Sequence, residues 1–594
     1  MQNAVCQEQG IRRIAVRPQP EKGGTPFQNM LFGVNAEITR RAYYGGLSAE
    51  MLNNRKLFTG DTAPAGWECT GCTFVTGARH RSLCNSNFAV LHGGSMAQTS
   101  EVIALRSGKT YTAAAWVKAP MDTVSVTFGA AGMEKTFTVE PDDAPYRALS
   151  FSFAGADVDN GTFTLKTDGE LEVFEVSLLP DDHFYGMRRD VIDCLKRIGP
   201  TSIRYPGGCA ADHFPWEDSL KSREFRTPMD GRTKSWFLFR NSCDQDPTDI
   251  ALNEFAMLCR ELGAEPEFTV SVLLSDGEDA RRLVEYCNGS ADTEYGAKRQ
   301  ALGFEPFNIK LWYIGNEVVG FGEQYRESGA LAGQRTSELI NAMRTADPTI
   351  ATVISTGGGR KWMDDLYDNL DCVHEYMSYH EYTDFLLLGD TQVPPTEETP
   401  GKLEELFING RAANLDFFST YRSPEYFAGI KLCADEWNYA WGNDSSNAML
   451  FSNALQFHLF AKTYEKYHIA RAQFFLPVNE GMITVHGADV KMESSGELFR
   501  LLKPHTDGTV IECACETKDL DILCTEHEEG RCFMSVVNRR SAPCLVIPEG
   551  YRVVSAVTLR TAEYSFTNND FALEELCEPV VDGHSVLFLS LEKE

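Results

Sequence analysis

Two glutamates stand where a carboxylate pair could do chemistry. Glu317 ends the apolar run WYIGNEVVG, and Glu436 ends CADEWNYAWG. Positions 317 and 436 are 119 residues apart, three strand-to-strand steps if one βα unit takes roughly 40 residues. Two carboxyls facing one cleft suit glycoside hydrolysis: one protonates the leaving oxygen, and the other attacks the anomeric carbon or activates water to do so. Such a pair needs different surroundings, because the acid and the nucleophile need different pKa values. Asn316, beside Glu317, could hydrogen-bond the hydroxyl next to the reacting carbon, a contact that tightens in the transition state. The competing reading is that each glutamate closes a strand and is merely solvated.

The surrounding pattern is one that positions strand ends. Between about 183 and 490, helix-period and strand-like segments alternate. Residues 187–198 place Val191, Leu195 and Ile198 on one helical face, Gly199-Pro200 stops that helix, and the strand-like TSIRYPGG follows. Thr248 or Asp249 could cap the next helix, in which Phe255, Leu258, Cys259 and Leu262 recur, before EPEFTVSV. Further pairs are EDARRLVEYCNG with IKLWYIGNE, and TSELINAMRTADPT with IATVISTGG. VHEYMSYHEY, IKLCADEWN and RAQFFLPV are later strands. Repeated αβ units imply a parallel sheet, and the span suits a (β/α)8 TIM barrel, whose C-terminal strand ends carry the chemistry. Asn316-Glu317, His380 and Glu436 all fall late in their strands, Glu317 in the fourth and Glu436 in the seventh. A doubly wound sheet is disfavoured because no glycine-rich phosphate loop follows the first strand.

The fold class expected is therefore α/β: a TIM barrel with a C-terminal β-sandwich and an inserted N-terminal β-sandwich. Residues 1–60 give a strand to the C-terminal sandwich and then the first barrel strand, MLFGVNAE. Residues 61–180 form the inserted sandwich, with short alternating runs such as KTYTAAAWVKA and GTFTLKT. The barrel takes 181–494, and the last sandwich 495–594. In the insert, Trp116 in its alternating strand reads as core rather than ligand platform.

Composition removes several function classes. The 55 basic and 85 acidic residues leave a net charge of −30, which argues against a nucleic-acid partner and against an anionic membrane surface. No apolar run is long enough to span a bilayer, and MQNAVCQEQGIRRIAVRP lacks the apolar core of a signal peptide. The seventeen cysteines are scattered; Cys69 and Cys72 make a CxxC with no second pair at zinc-site spacing. Free thiols in a reducing cytoplasm are expected.

As a set, these stretches resemble glycoside hydrolase family 51, the α-L-arabinofuranosidases. The resemblance rests on FGVNAEITRRAYYGGLSAEMLNNRKLF (32–58), IRYPGGCAADHFPWED (203–218), ALNEFAMLCRELGAEPEFTV (251–270), LWYIGNEVVG (311–320), MSYHEY (377–382) and ADEWNYAW (434–441). Residues 90–180 look like a carbohydrate-binding-module-type sandwich inserted after the first barrel strand, as in longer members. The resemblance implies a retaining mechanism with Glu317 as acid/base and Glu436 as nucleophile. It further implies that Glu37 binds sugar hydroxyls and that Arg204 lies beneath the nucleophile and keeps it ionised. Asn316 would contact the 2-hydroxyl, His380 and Tyr382 would position the carboxylates, and Gln473 would face the sugar. Trp437 and Trp441 could stack on the sugar, although Trp437 equally suits wall packing. Cys209 departs from the asparagine common after RYPGG, and WEDSLKSREFRTP lacks the usual Ile-Gly-Pro at the rim.

The function expected is removal of terminal α-L-arabinofuranosyl residues from arabinan, arabinoxylan or derived oligosaccharides, without metal or cofactor, in the cytoplasm. The resemblance, not the residues, implies a homo-oligomer. Another retaining glycosidase on the same scaffold is the alternative, since fold does not fix substrate. A non-catalytic sugar-binding protein would have no need of paired carboxylates.

Overall fold

The computed structural model describes residues 11–77, 87–230, 245–321, 323–357, 359–382, 429–439, 447–561 and 569–594. Eight parallel strands close into a barrel in the order Gly33–Asn35, Ser202–Tyr205, Glu265–Val270, Leu311–Ile314, Ala351–Ile354, Tyr376–Tyr382, Lys431–Asn438 and Ile469–Phe475. The last strand pairs with the first, Phe475 opposite Asn35. The strands are buried along most of their length, as in Ser202–Tyr205 and Lys431–Asn438, because helices cover the outside while side chains fill the inside. The expected fourth and seventh positions for Glu317 and Glu436 are met.

Helices sit where the 3.6-residue period places them, with two instructive differences. The helix bearing Phe255 and Leu258 runs Leu252–Leu262, so neither Thr248 nor Asp249 caps it. Asp249 is taken by Arg55 and the Thr248 hydroxyl donates to Thr227 O; tertiary partners outbid the local cap. The fourth strand stops at Ile314, because Gly315 turns with φ of +70° and carries Asn316 and Glu317 out onto the barrel rim.

The inserted strands, Glu68–Val75 through Glu170–Pro180, form one eight-stranded antiparallel sheet folded over a single core, not two separate sheets. The long strand Phe88–Ser100 serves both layers. It pairs with Glu170–Val173 through its first half and with Gly161–Lys166 through its second. Gly93 and Gly94 make the bend between them: Gly93 has φ of +62°, and a Cβ on Gly94 would stand 2.0 Å from Thr70 O. Strict alternation in Thr110–Lys118 buries Tyr111, Ala113, Ala115 and Val117. Trp116 therefore lies on the opposite, half-buried face beside Glu175, which corrects its reading as core.

The C-terminal region has two sheets. A seven-stranded sheet includes Arg531–Asn538 and Val586–Lys593, and a four-stranded sheet recruits Arg12–Pro18 from the N-terminus. Met534, Val536, Leu587 and Leu589 face the sandwich core; Phe533, Val537, Val586 and Phe588 face the barrel. Burial on both faces explains why apolar residues outnumber polar ones along these strands, where short alternating runs were expected. Between sheet and barrel, His458 bridges Asp521 (2.7 Å) and Ser535 (2.8 Å), and His505 bonds Ser535 (2.9 Å) and Thr525 (3.0 Å). The Asp–His–Ser order matches that of a hydrolytic triad, but His458 and Ser535 are fully buried, so the chain is an interdomain clamp.

Candidate active site

The carboxylate at the centre of the C-terminal barrel face is Glu436, and a bulge puts it there. Against the sixth strand, Ser378 and His380 oppose Cys433 and Glu436; against the eighth, Ala472 and Phe474 oppose Ala434 and Trp437. Both neighbours count one extra residue in the seventh strand. Alternation would send Asp435 and Glu436 to opposite faces; the bulge turns both inward, and both are buried.

Glu436 is held from three directions. Its Oε1 accepts from Arg204 Nη1 at 3.1 Å and Asn35 Nδ2 at 3.2 Å, and its Oε2 accepts from Tyr382 Oη at 2.8 Å. Arg204 is fully buried, lies over the Tyr313 ring, and donates through Nη2 to Asn316 Oδ1 at 2.8 Å. That bond orients Asn316 with its amide nitrogen toward the cleft, 3.5 Å from Cys209 Sγ. Gly207 and Gly208 let the chain pass directly over the acids. Gly207 has φ of +96°, and a Cβ on Gly208 would stand 2.5 Å from Glu436 Oε1 and 3.1 Å from Glu37 Oε1. The turn that follows offers the Ala210 N–H to Glu37 Oε1 at 2.9 Å.

Glu317 approaches from across the cleft in a left-handed conformation, φ +43°, uncommon for a side-chain-bearing residue and typical of strained functional positions. Its side chain is 36% exposed, against 6% for Glu436. Glu317 Oε1 lies 2.8 Å from His380 Nδ1, and His380 Nε2 lies 3.2 Å from Asp435 Oδ2. One donor oxygen each of Glu317 and Glu436, with His380, lies within 4.8 Å of the others. Carboxyls about 5 Å apart suit direct nucleophilic attack; an inverting pair leaves roughly 6.5–9.5 Å for water. The same three groups are also close enough to share a metal ion.

Four carboxyls crowd this space, and their protonation follows from their partners. Burial, then the Glu436 charge, pushes Glu37 up to about 8. Burial, aided by Glu317 and Asp435, also raises Glu436 against the pull of His380 and Arg204. Burial works against the charge of Glu317, yet His380 and Arg204 bring it below its usual range. Asp435 falls too, since Arg204 and His380 outweigh its burial. The His380 imidazole is likewise penalised by burial, but Glu436 and Asp435 hold it well above its ordinary value. These directions favour charge on Glu317 and a proton on His380.

Of the residues singled out from the sequence, Glu37, Arg204, Asn316, Glu317, His380, Tyr382 and Glu436 meet here. Gln473 does not. It pairs with Gly33, one pleat deeper than Asn35, and its Nε2 donates to Glu267 Oε2 at 2.9 Å in the barrel floor. Trp437 is fully buried among Phe460, Phe474 and Phe499, so it is wall. Trp441 lies outside the described residues. Asn35 and Asp435 were missed. Asn35 was legible, two residues before Glu37 on the same strand face; Asp435 was not, because only the bulge turns it inward.

Residues 194–388 match the family model described as the alpha-L-arabinofuranosidase 1 domain. An intracellular exo-α-(1→5)-L-arabinofuranosidase of Acetivibrio thermocellus is 29% identical over 281 residues, 45% of this chain and 52% of that one. An exo-α-(1→6)-L-arabinofuranosidase of Bifidobacterium longum is 25% identical over 428 residues, 63% of this chain and 79% of that one. The chain spans about half the length of the first of these relatives. Among solved structures, the arabinose-bound MgGH51 α-L-arabinofuranosidase superposes with a TM-score of 0.73 at 15% identity, covering 98% of this chain and 100% of that one. Among the described residues, no helix is long and apolar enough to cross a membrane.

Proposed function

From the similarity to α-L-arabinofuranosidases, we propose that this chain is a family 51 retaining exo-glycosidase. It removes terminal non-reducing α-L-arabinofuranosyl residues from arabinan, arabinoxylan or oligosaccharides derived from them. The observation that carries the mechanism is the pair itself: Glu317 and Glu436 with donor oxygens within 4.8 Å, one half-exposed and bonded to histidine, the other buried and held by three donors.

In the first half-reaction Glu317 protonates the glycosidic oxygen while Glu436 Oε2 or Oε1 attacks the anomeric carbon; the aglycone leaves and a glycosyl ester forms. His380 lies one hydrogen bond from Glu317 and supplies the acid's proton. Transfer from Nδ1 to Glu317 Oε1 across 2.8 Å arms the acid without changing the net charge. Arg204, Asn35 and Tyr382 orient the Glu436 carboxylate. Arg204 also aims the Asn316 amide at the 2-hydroxyl, where a bond that strengthens in the transition state lowers the barrier. In the second half-reaction Glu317, now ionised, takes a proton from water as that water attacks the ester. Glu37, fixed by the Ala210 N–H, binds hydroxyls of the arabinose.

Cytoplasmic action on imported oligosaccharides fits the names of the intracellular relatives and belongs to this proposal, as does assembly into a homo-oligomer. The test is hydrolysis of a p-nitrophenyl glycoside panel by wild type, Glu317→Ala and Glu436→Ala. Release from the α-L-arabinofuranoside that collapses in both variants, with azide restoring product only in Glu317→Ala, is expected. Cleavage of another glycoside alone overturns the substrate; cleavage of none, natural oligosaccharides included, overturns the activity.

A further inference from the structure

We propose that Glu317, His380 and Glu436 form a binding site for a zinc-class divalent cation, and that such an ion inhibits the enzyme by bridging its two carboxylates. The inhibition rests on the function proposed above; the binding does not.

The donors have the spacing a metal needs. His380 Nδ1 is 2.8 Å from Glu317 Oε1 and 3.4 Å from Glu436 Oε2, and the set fits within 4.8 Å. A tetrahedral zinc ion with bonds of about 2.0–2.2 Å holds its donors roughly 3.3–3.5 Å apart. Only Glu317 has to adjust, and it is the one with an exposed side chain.

The imidazole is already set as a ligand. Its Nε2 meets Asp435 Oδ2, and Asp435 is fixed in turn by Arg204 (3.4 Å) and the Tyr379 N–H (3.1 Å). A carboxylate behind a histidine, leaving the other ring nitrogen for the ion, is the arrangement that orients metal-binding histidines. Arg204 opposes a cation but contacts Glu436 through Oε1, whereas the oxygen facing His380 is Oε2. Four carboxyls, those of Glu37, Glu317, Asp435 and Glu436, share the pocket, and their negative charge favours a divalent ion there. The imidazole donor favours zinc-like ions over Mg²⁺ or Ca²⁺.

Co²⁺ added to the full-length, chelator-treated protein reads the site by its visible absorption. The expected result is a tetrahedral spectrum saturating at one equivalent, erased by Zn²⁺ and untouched by excess Mg²⁺. It is absent in Glu436→Gln, and weakened on the order of 10–100-fold in affinity in Asp435→Asn. Zn²⁺ should inhibit hydrolysis of p-nitrophenyl α-L-arabinofuranoside competitively, reversed by chelator. No tetrahedral spectrum, or one unchanged by Glu436→Gln, overturns the site. Binding with no hydrolysis of any glycoside would sink the functional reading alone; hydrolysis indifferent to Zn²⁺ would sink this one alone.

Discussion

Replacing Arg55 with methionine should cost most at neutral pH, and the structure sets the size. Arg55 is fully buried. Its Nε and Nη2 meet the carboxylate of Asp249, Nη1 meets Glu175 Oε2 at 3.0 Å, and Glu50 lies 3.8 Å away. Glu175 belongs to the inserted sheet and Asp249 precedes a barrel helix, so one cation ties the two. Methionine fills the volume but leaves buried carboxylates with less countercharge, a loss of about 3–5 kcal/mol. The penalty has a ceiling, because one acid can take a proton instead: from an ordinary carboxyl near 4, that costs about 4 kcal/mol at pH 7 and about 1.5 kcal/mol at pH 5. The sign agrees with the native state. Burial opposes the Asp249 charge, yet Arg55 holds its pKa well below the usual range, so its stabilisation is present above about pH 4 and fades only at lower pH. Urea unfolding of wild type and variant at pH 7 and pH 5 should give a stability difference near 4 kcal/mol shrinking by about half or more. An equal difference at both pH values, or one below about 1 kcal/mol, would refute the reasoning.

Tyr382→Phe removes a charge-assisted hydrogen bond of 2.8 Å to Glu436 and should lower kcat/KM by roughly 10–100-fold, from about 1.5–3 kcal/mol; steady-state kinetics checks it. Gly208→Ala drives a methyl to 2.5 Å from Glu436 Oε1 and should abolish turnover while the circular dichroism spectrum persists; an active variant would show that the turn can yield. Burial lowers the pKa of His458 and of His505, so their contribution to stability is whole above about pH 6.5 and falls as pH drops below it. The slope reaches about 1.4 kcal/mol per unit for each histidine. Urea titrations between pH 7.5 and 5.5 read it, and His458→Gln should flatten it.

The period of two and the period of 3.6 are local consequences of backbone geometry, so the alternation from 187 to 475 already spelled out a parallel barrel. It also placed Glu317 and Glu436 three strands apart at the chemically active end. Asn35 was readable by the same rule. Where a residue's role depended on partners far along the chain, the sequence was silent or misleading. Trp116 looked like core but faces outward from its sheet; Asp249 looked like a cap but serves Arg55, 194 positions away; Gln473 looked like a sugar ligand but lies one layer too deep. The bulge that turns Asp435 and Glu436 to one side is visible only against both neighbouring strands. Sequence determined which groups were available and at which strand ends they stood. Their separation and pKa order came from barrel closure, because burial and the nearness of Arg204 and His380 are properties of residues brought together from different strands.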